Sequence, residues 1–246
     1  MRLFPDMVNT ADTNTFLLVF SISFMGCVLA TPLVTRLAVW AGAIDRPDDF
    51  RRLHAEATPR MGGLAVAFGL FVSVLLAAAA GYLRHSAGLV TWLLDHWGVI
   101  VAGLIILTVG AIDDARGVKP RLKLLGQIAA VLALYAGGIK ISSFVMLGSR
   151  FNLSYPSVTL HLGGFHLELA FFSLLVTLIW FLGCINIWNL LDGMDGLATG
   201  VGLLVSGTLM LIAIYEKNVG AAVLAAALAG SLAGFLLYNW HPACIF

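Results

Sequence analysis

Charged residues are scarce in this chain, and neither sign is in excess. Asp, Glu, Lys and Arg make up 11% of the 246 residues, whereas about a quarter is usual for a soluble domain. The formal net charge is +1, and the chain has no basic stripe interleaved with aromatic residues, the pattern typical of nucleic-acid binding. The composition therefore excludes an ordinary soluble domain and predicts no nucleic-acid partner.

Cysteine is also rare. The three cysteines are an odd number without paired spacing, so they give no sign of a disulfide framework. Cys27, Cys184 and Cys244 lie within apolar runs or at the end of one, and we expect them to be packing residues.

Apolar residues are abundant, at 60% of the chain. A membrane-spanning helix needs about 20 largely apolar residues. Repeated runs near that length predict an all-α polytopic membrane protein with about seven transmembrane helices in a single membrane domain, 1–246. The runs are 16–40, 62–83, 98–112, 124–139, 170–191, 197–215 and 219–240. Small residues at four-residue spacing, Gly196 with Gly200 and Gly230 with Gly234, predict close contact between helices.

The basic residues predict the orientation, because Lys and Arg in short loops are retained on the cytoplasmic side. One set of loops carries nine of them and the alternate set five, which places the N-terminus outside. The nine are Arg36, Arg46, Arg51, Arg52, Arg60, Arg116, Lys119, Arg121 and Lys123. The five are Arg2, Arg84, Lys140, Arg150 and Lys217.

The outer segment 140–169 contains "TLHLGGFHLEL", in which alternating residues flank a Gly-Gly turn. This pattern predicts a small periplasmic β-hairpin between the fourth and fifth predicted helices, with Leu162 opposite Phe165 and His161 opposite His166. The two histidines lack a third ligand, so we do not interpret them as a metal site.

Four acids gather at predicted cytoplasmic helix ends: Asp113 and Asp114 after one run, Asp192 and Asp195 after another. Neighbouring acids raise one another's pKa unless a positive charge intervenes. A divalent cation held by oxygen ligands meets that need, and Mg²⁺ usually bridges to phosphates, which points to a diphosphate substrate. Nearby amides and basic groups fit such a site: Asn186, Asn189, Lys119, Arg121, Lys123, Arg51, Arg52, His54 and Arg60.

The competing interpretation is that these acids pair with those bases at a solvated helix end. Gly193 and Gly196 favour the ligand site, because glycine weakens a helix and suits close approach of backbone to a ligand. The residues alone leave both interpretations open.

Four segments carry a resemblance to a known family. They are "RRLHAEATPRMGGLAV" (51–66), "IDDARGVKPRLKLLGQ" (112–127), "INIWNLLDGMDGLATG" (185–200) and "YNWHPACIF" (238–246). Together they resemble the polyprenyl-phosphate N-acetylhexosamine-1-phosphate transferases of glycosyltransferase family 4, over roughly residues 36–246. The motifs "TPRMGG" and "NLLDGMDG" resemble those of the branch that transfers GlcNAc-1-phosphate more than those of the branch that makes lipid I.

The resemblance implies that a polyprenyl phosphate, undecaprenyl phosphate, attacks the β-phosphorus of a UDP-N-acetylhexosamine and releases UMP. Mg²⁺, with Mn²⁺ as the alternative ion, would carry the diphosphate charge. The reaction would take place on the cytoplasmic face of a bacterial inner membrane. It would be the first membrane step of a cell-envelope glycan pathway, such as one that makes cell wall or the O-antigen of lipopolysaccharide. The lipid bilayer is the expected surroundings, and a homodimer is left open as the assembly.

The resemblance also implies residue roles. Asp113 or Asp114, with Asp113 the first choice, would deprotonate or orient the lipid phosphate, and Asp192 would act on the metal or the diphosphate. Asn189 would be a Mg²⁺ ligand and Asp195 a contact to the uridine. Lys123 and Lys119 would hold phosphate oxygens, and Asn186 would support these ligands. The Arg60 loop and the Gly62-Gly63 pair would cover the nucleotide entrance, where the start of the second predicted helix would offer N–H groups to an anion.

The sequence departs from the family at its end. The family continues past the position of Phe246 with a segment resembling "GD-x-GS", whose Asp is a Mg²⁺ ligand, and Cys244 replaces a basic residue. We expect this chain to be C-terminally incomplete relative to the family, and weakly active or inactive alone.

Two other functions compete. An intramembrane prenyltransferase also binds Mg²⁺-diphosphate, but the three-residue spacing of Asn189, Asp192 and Asp195 differs from that of such enzymes. A transporter or cation or proton relay usually carries its acids near the membrane centre, whereas these acids lie at the boundary.

Overall fold

Helices dominate the fold. The structure, a computed structural model, describes residues 10–45, 58–79, 87–162 and 165–246. The helices in these ranges are α1 (Thr10–Ala41), α2 (Gly62–Ala79), α3 (Ala87–Asp95), α4 (Trp97–Arg116), α5 (Pro120–Ala136), α6 (Phe171–Leu191), α7 (Leu197–Tyr215) and α8 (Val219–Asn239). Short antiparallel strand pairs are β1 (Ile44–Asp45) with β2 (Thr58–Pro59), β3 (Ser143–Met146) with β4 (Ser149–Asn152), and β5 (Ser157–Leu162) with β6 (Phe165–Ala170).

Within the described ranges, five helices are long and apolar enough to cross a membrane: α1, α4, α6, α7 and α8. This confirms the predicted class, a helical polytopic membrane protein. The other two predicted spans are helical, but their described parts fall short of that length, and residues 80–83 of the predicted span 62–83 lie outside the described residues. The apolar part of α2 is Gly62–Ala77, and α5 has 17 residues, fewer than the ~20 that cross a bilayer. The number seven and the orientation stay predictions, and the nine-residue α3 was not predicted.

The chain divides into two compact units. The first comprises Met1–Trp92, Gly110–Gly117 and Leu191–Phe246, and the second comprises Leu93–Val109 and Val118–Leu190. The four predicted acids belong to the first unit, and the two asparagines belong to the second.

Small residues bring helices of the first unit together. α1, α2 and α8 pack on one another, and α7 packs on α8. A Cβ on Gly234 would meet the backbone oxygen of Phe24 at 2.6 Å, and Gly230 is as close to Phe20, which confirms the predicted close contact. The same prediction was wrong for Gly200, which faces open space, because the side of α7 that carries it does not pack on a neighbour there.

A polar seam accompanies this contact between α1, α2 and α8. The Ser23 hydroxyl donates to Ala227 O (2.6 Å) and lies 2.8 Å from the Ser231 hydroxyl. Ser231 donates to Val66 O at 2.9 Å. Lipid offers these hydroxyls no hydrogen bonds, so they are paired within the protein.

The cysteines divide between interior and surface. Cys27 is fully buried beside Ala65 and Phe235, as a packing residue should be. Cys184 is half-buried, whereas Cys244 is exposed. The packing prediction was wrong for Cys244, because this residue follows α8 in an irregular segment.

One end of the second unit is held by contacts among α4, α5 and α6. Tyr135 in the last turn of α5 accepts a hydrogen bond from Ala170 N at 3.1 Å, just before α6 begins. A Cβ on Gly137 would clash with the backbone of Gly98 at the start of α4. The end of α5 and the starts of α4 and α6 therefore lie together.

The predicted β-hairpin corresponds to β5 and β6. These strands pair antiparallel with Leu162 opposite Phe165 and His161 opposite His166. Residues 163 and 164 of the turn lie outside the described residues, and its placement in the periplasm stays a prediction.

Candidate active site

Asp113 and Asp114 lie in the last turn of α4, where both are half-buried. The helix ends because Gly117 turns back, with φ of +66°, and its N–H donates to Asp113 O at 2.8 Å. Glycine adopts this left-handed conformation without steric cost. The "DDARG" sequence thus places two acids at a sharply terminated helix end.

Asp192 directly follows α6, and its environment disfavours a negative charge. The residue has solvent-exposed surface, yet protein atoms displace much of the water around the carboxylate, and this desolvation is the largest cause that raises the pKa of Asp192. The negative charge of Asp114 also raises the pKa and the positive charge of Arg60 lowers it, which together leave the pKa of Asp192 at about 6. Asp192 is therefore close enough to Asp114 and Arg60 to interact with both electrostatically within the first unit. These three predicted site residues come from three separate segments.

Arg60 is held in place beside this group of charges. Its Nη2 donates to Asp45 Oδ1 at 2.7 Å, in a pair whose side chains are 35% and 18% exposed. Its backbone N–H donates to Ala43 O at 2.8 Å. The other basic candidates of this loop, Arg51, Arg52 and His54, lie outside the described residues.

Asp195 is buried, with 6% of its side chain exposed. Its Oδ2 lies 2.8 Å from His241 Nδ1 and accepts a hydrogen bond from Ala243 N at 3.2 Å. The predicted uridine residue therefore fastens the segment that follows α8 to the turn between α6 and α7. In that turn Gly196 has φ of +69°, so backbone conformation accounts for this glycine.

Further contacts secure the end of the chain. Asn239 Oδ1 accepts from the Thr199 hydroxyl (2.7 Å), and its Nδ2 donates to Ile245 O (3.0 Å). Ile245 is fully buried. Sequence reasoning missed Asn239 and His241 as organising residues, although an Asn at the end of an apolar run was a usable signal, since polar groups there need partners.

The start of α2 differs from its expected role. The Gly62 N–H, expected to face an anion, donates to Phe246 O at 2.7 Å. A Cβ on Gly62 would collide with the Phe235 ring and meet Phe246 O at 2.9 Å. Packing against the last residue of the chain explains this glycine, and the anion-binding expectation for the Gly62 N–H was wrong.

The second unit holds the predicted amide and lysine candidates. Lys123 Nζ donates to Asn189 Oδ1 at 3.4 Å. Asn186 Nδ2 donates to Gln127 Oε1 at 3.2 Å and to Leu182 O at 2.8 Å. The predicted phosphate lysine and the predicted metal amide are thus neighbours, and Asn186 joins α6 to α5.

Lys119 lies at the entry to α5, directly before Pro120. Its carbonyl accepts hydrogen bonds from Leu122 N (2.9 Å) and Lys123 N (3.1 Å), and its side chain is exposed to solvent. Proline at the first helical position is preorganised for a helix start. The ammonium of Lys119 is therefore presented to solvent at a well-defined helix end.

The donor chemistry of the first unit suits Mg²⁺. Among the described residues no group of three or more His, Cys, Asp or Glu side chains could hold a metal ion. Mg²⁺, however, is commonly bound through only one or two carboxylates, with waters and substrate phosphates completing its shell. Asp114 and Asp192, whose charges repel, fit that mode.

Comparison with known proteins identifies relatives. Residues 96–246 match the sequence profile of glycosyl transferase family 4. The chain is 31% identical over 229 residues to a probable undecaprenyl-phosphate N-acetylglucosaminyl 1-phosphate transferase of Bacillus subtilis, which covers 92% of this chain and 56% of the relative.

Two further relatives show the breadth of the match. The chain is 33% identical to a decaprenyl-phosphate N-acetylglucosaminephosphotransferase of Mycolicibacterium smegmatis, over 88% of this chain and 52% of the relative. It is 34% identical to a phospho-N-acetylmuramoyl-pentapeptide-transferase of Moorella thermoacetica, over 89% of this chain and 65% of the relative. The chain spans about half the length of the first of these curated relatives.

Proposed function

This chain belongs to glycosyl transferase family 4, and we propose from that membership that its protein transfers a GlcNAc-1-phosphate-type phosphosugar from a UDP-N-acetylhexosamine to a polyprenyl phosphate, releasing UMP. Relatives named for undecaprenyl-phosphate and decaprenyl-phosphate support the lipid acceptor. The same names support N-acetylglucosamine as the sugar, and the similar identity to a phospho-N-acetylmuramoyl-pentapeptide-transferase makes N-acetylmuramoyl-pentapeptide the alternative. The proposed place is the cytoplasmic face of a bacterial inner membrane.

One observation carries the proposal: Asp114 and Asp192 lie close enough for the charge of one to raise the pKa of the other. Such repulsion costs stability, and the Arg60 charge offsets it incompletely because the pKa of Asp192 stays raised. The pair therefore favours the binding of further positive charge. A divalent cation with a nucleotide diphosphate brings that charge and is then held in place. Both acids sit at helix ends, Asp114 in the last turn of α4 and Asp192 directly after α6, which disfavours a mid-membrane relay.

The reaction forms a bond between a lipid phosphate oxygen and the β-phosphorus, and it breaks the bond from that phosphorus to the bridging oxygen. The bond electrons leave with UMP. Bound Mg²⁺ would supply Lewis-acid neutralisation of the diphosphate. We propose that Asp113 or Asp114 orients or deprotonates the lipid phosphate, and that Asp192 holds the metal-bound diphosphate.

The other candidates act by position and charge. Lys123 and Lys119 would bind phosphate oxygens, and the Asn189 amide would offer a neutral oxygen ligand. Arg60 would balance the acids, since it already lowers the pKa of Asp192. The uridine contact expected for Asp195 stays a prediction. Its buried carboxylate favours a role in shaping the nucleotide side of the site through the segment after α8.

Membranes that carry the product of the complete gene test the proposal. We expect UMP release from UDP-GlcNAc that requires both undecaprenyl phosphate and Mg²⁺. Asp114→Asn and Asp192→Asn should each abolish release, whereas Glu168→Gln should not, because that exposed acid pairs with Lys140 at 2.9 Å, outside the site.

Two outcomes would overturn it. Release from UDP-MurNAc-pentapeptide but not from UDP-GlcNAc would reassign the sugar. No transfer from either nucleotide, together with ion flux that depends on Asp192, would establish a relay instead.

A further inference from the structure

The β3–β4 hairpin carries an apolar surface that is open to its surroundings. Phe144 pairs with Phe151 across the strands, and their rings stack with centroids 5.1 Å apart. Met146 lies on the same face of the hairpin. These side chains are 40%, 43% and 54% exposed, and Leu147 at the tip is 97% exposed. A contiguous exposed apolar patch of this kind marks an interaction surface.

The opposite face of the hairpin is polar at its base. Ser143 pairs with Asn152, and Val145 pairs with Arg150. Arg150 Nε donates to Ser143 Oγ at 3.3 Å, which lays the arginine stem along this face. Val145, which is 70% exposed, also lies on this face. The two faces therefore differ in that one carries the aromatic rings and Met146, and the other carries a cation.

The base of the hairpin is anchored to a candidate membrane span. Ile141 N donates to Thr177 Oγ1 at 3.0 Å, and the Ser173 hydroxyl donates to Ile141 O at 2.8 Å. Both partners lie in the first two turns of α6, which is long and apolar enough to span a bilayer. At 1.5 Å per residue, Thr177 is about 9 Å from the start of the helix. The headgroup layer of one leaflet is about 5–8 Å thick, so the hairpin starts at the level of the membrane boundary.

We propose that the β3–β4 hairpin lies in the lipid headgroup layer, with Leu147, Met146 and the two rings facing the acyl chains and Arg150 at the phosphates. Its occupant is the bilayer surface, because the base of the hairpin is bonded to the first two turns of a candidate membrane span. A cation beside an apolar face suits anionic phosphates above acyl chains. This inference does not depend on the proposed reaction.

A cysteine-reactive nitrobenzoxadiazole fluorophore reports the surroundings of single positions. Leu147→Cys and Met146→Cys test the apolar surface, and Asn152→Cys on the polar face of the same hairpin is the matched control. The background carries Cys184→Ser and Cys244→Ser, which leaves the buried Cys27. The proteins are placed in phospholipid vesicles with or without nitroxide-labelled lipids.

We expect the label at 147 and at 146 to be quenched by shallow nitroxide lipids and to show a several-fold lower iodide quenching constant than the label at 152. Strong iodide quenching at all three positions, without quenching by nitroxide lipids, would show that the hairpin stands in water and would overturn the proposal. Protection from iodide without quenching by nitroxide lipid would overturn it in favour of a protein partner or a second copy of the chain.

Discussion

Asp195 and His241 are joined by a 2.8 Å contact between Oδ2 and Nδ1, although 46 residues separate them in the chain. The carboxylate is 6% exposed and the imidazole 80% exposed. The same oxygen accepts from Ala243 N. The Asp195 carboxylate therefore stabilises the segment after α8 chiefly as a buried hydrogen-bond acceptor, and His241 contacts it from the solvent side.

We expect Asp195→Ala to lower the thermal stability of the membrane-extracted protein more than His241→Ala. Loss of the acid strands a backbone donor and a charge-assisted bond, at a cost of about 1.5–3 kcal/mol. Loss of an exposed imidazole costs about 0–1 kcal/mol. Melting temperatures in one detergent measure the difference, and a larger loss for His241→Ala would contradict this assignment.

The pKa of Asp192 predicts how stability depends on pH. Its folded value of about 6 lies above the unfolded value of about 3.9. Between these values the folded state binds more protons, so the free energy of unfolding falls as pH rises from about 4 to 6. Asp192→Asn removes this penalty and should raise the melting temperature at pH 7.5 without metal by about 2–4 °C, with the gain vanishing near pH 4.

Glu168 provides the control of opposite sign for that measurement. Its hydrogen bond and charge interaction with Lys140 lower the pKa of Glu168. The contribution of the Glu168–Lys140 pair to the free energy of unfolding is present above the unfolded pKa of Glu168 and is lost as pH falls. Glu168→Gln should therefore not stabilise the protein at pH 7.5. Equal gains for both variants would show a general charge effect in place of the desolvation of Asp192 and its repulsion by Asp114.

Helix contact in the first unit predicts a contrast between two glycines. Gly234→Ala places a Cβ 2.6 Å from the Phe24 backbone oxygen, so α1 and α8 must separate and stability should fall. Gly200→Ala fills open space and improves helix propensity by up to about 1 kcal/mol. Melting curves in detergent compare them, and similar effects of the two changes would refute the packing of α1 on α8.

The contact between Lys123 and Asn189 predicts non-additive kinetics. Lys123→Ala and Asn189→Ala should each lower kcat/KM for transfer. The double variant should lose less than the sum of the two free-energy changes, because each single change already breaks the 3.4 Å bond. Lys140→Ala is the control lysine. Fully additive losses would mean that the two side chains act independently.

Local pattern accounts for the parts of this structure that depend on neighbours in sequence. Apolar runs predicted the helices because burial in lipid requires internal backbone hydrogen bonding. Alternation around Gly163 and Gly164 predicted the pairing of Leu162 with Phe165. The α5 start at Pro120 likewise follows from a residue that fits only the first turn of a helix. Asp114 and Asp192, which end two predicted spans, interact by charge, whereas a joint site of all four acids on one side of the membrane stays a prediction.

Contacts between distant segments were beyond such reasoning. Gly62 was assigned to a ligand, yet it packs on Phe246 at the other end of the chain. Gly200 was assigned to a helix contact, yet no neighbour faces it. Residue spacing reports which side of a helix is small, but not which helix lies opposite.

The amino-acid sequence by itself determined that the chain is helical, membrane-bound and acidic at particular helix ends, because hydropathy and charge act locally and need no partner. Only the tertiary structure decided that the charges of Asp114 and Arg60 shift the pKa of Asp192. It also decided that Asp195 contacts His241 and that Gly62 packs against Phe235 and Phe246. Desolvation, charge interaction and steric contact depend on distance in space, and folding sets that distance between residues far apart in the chain.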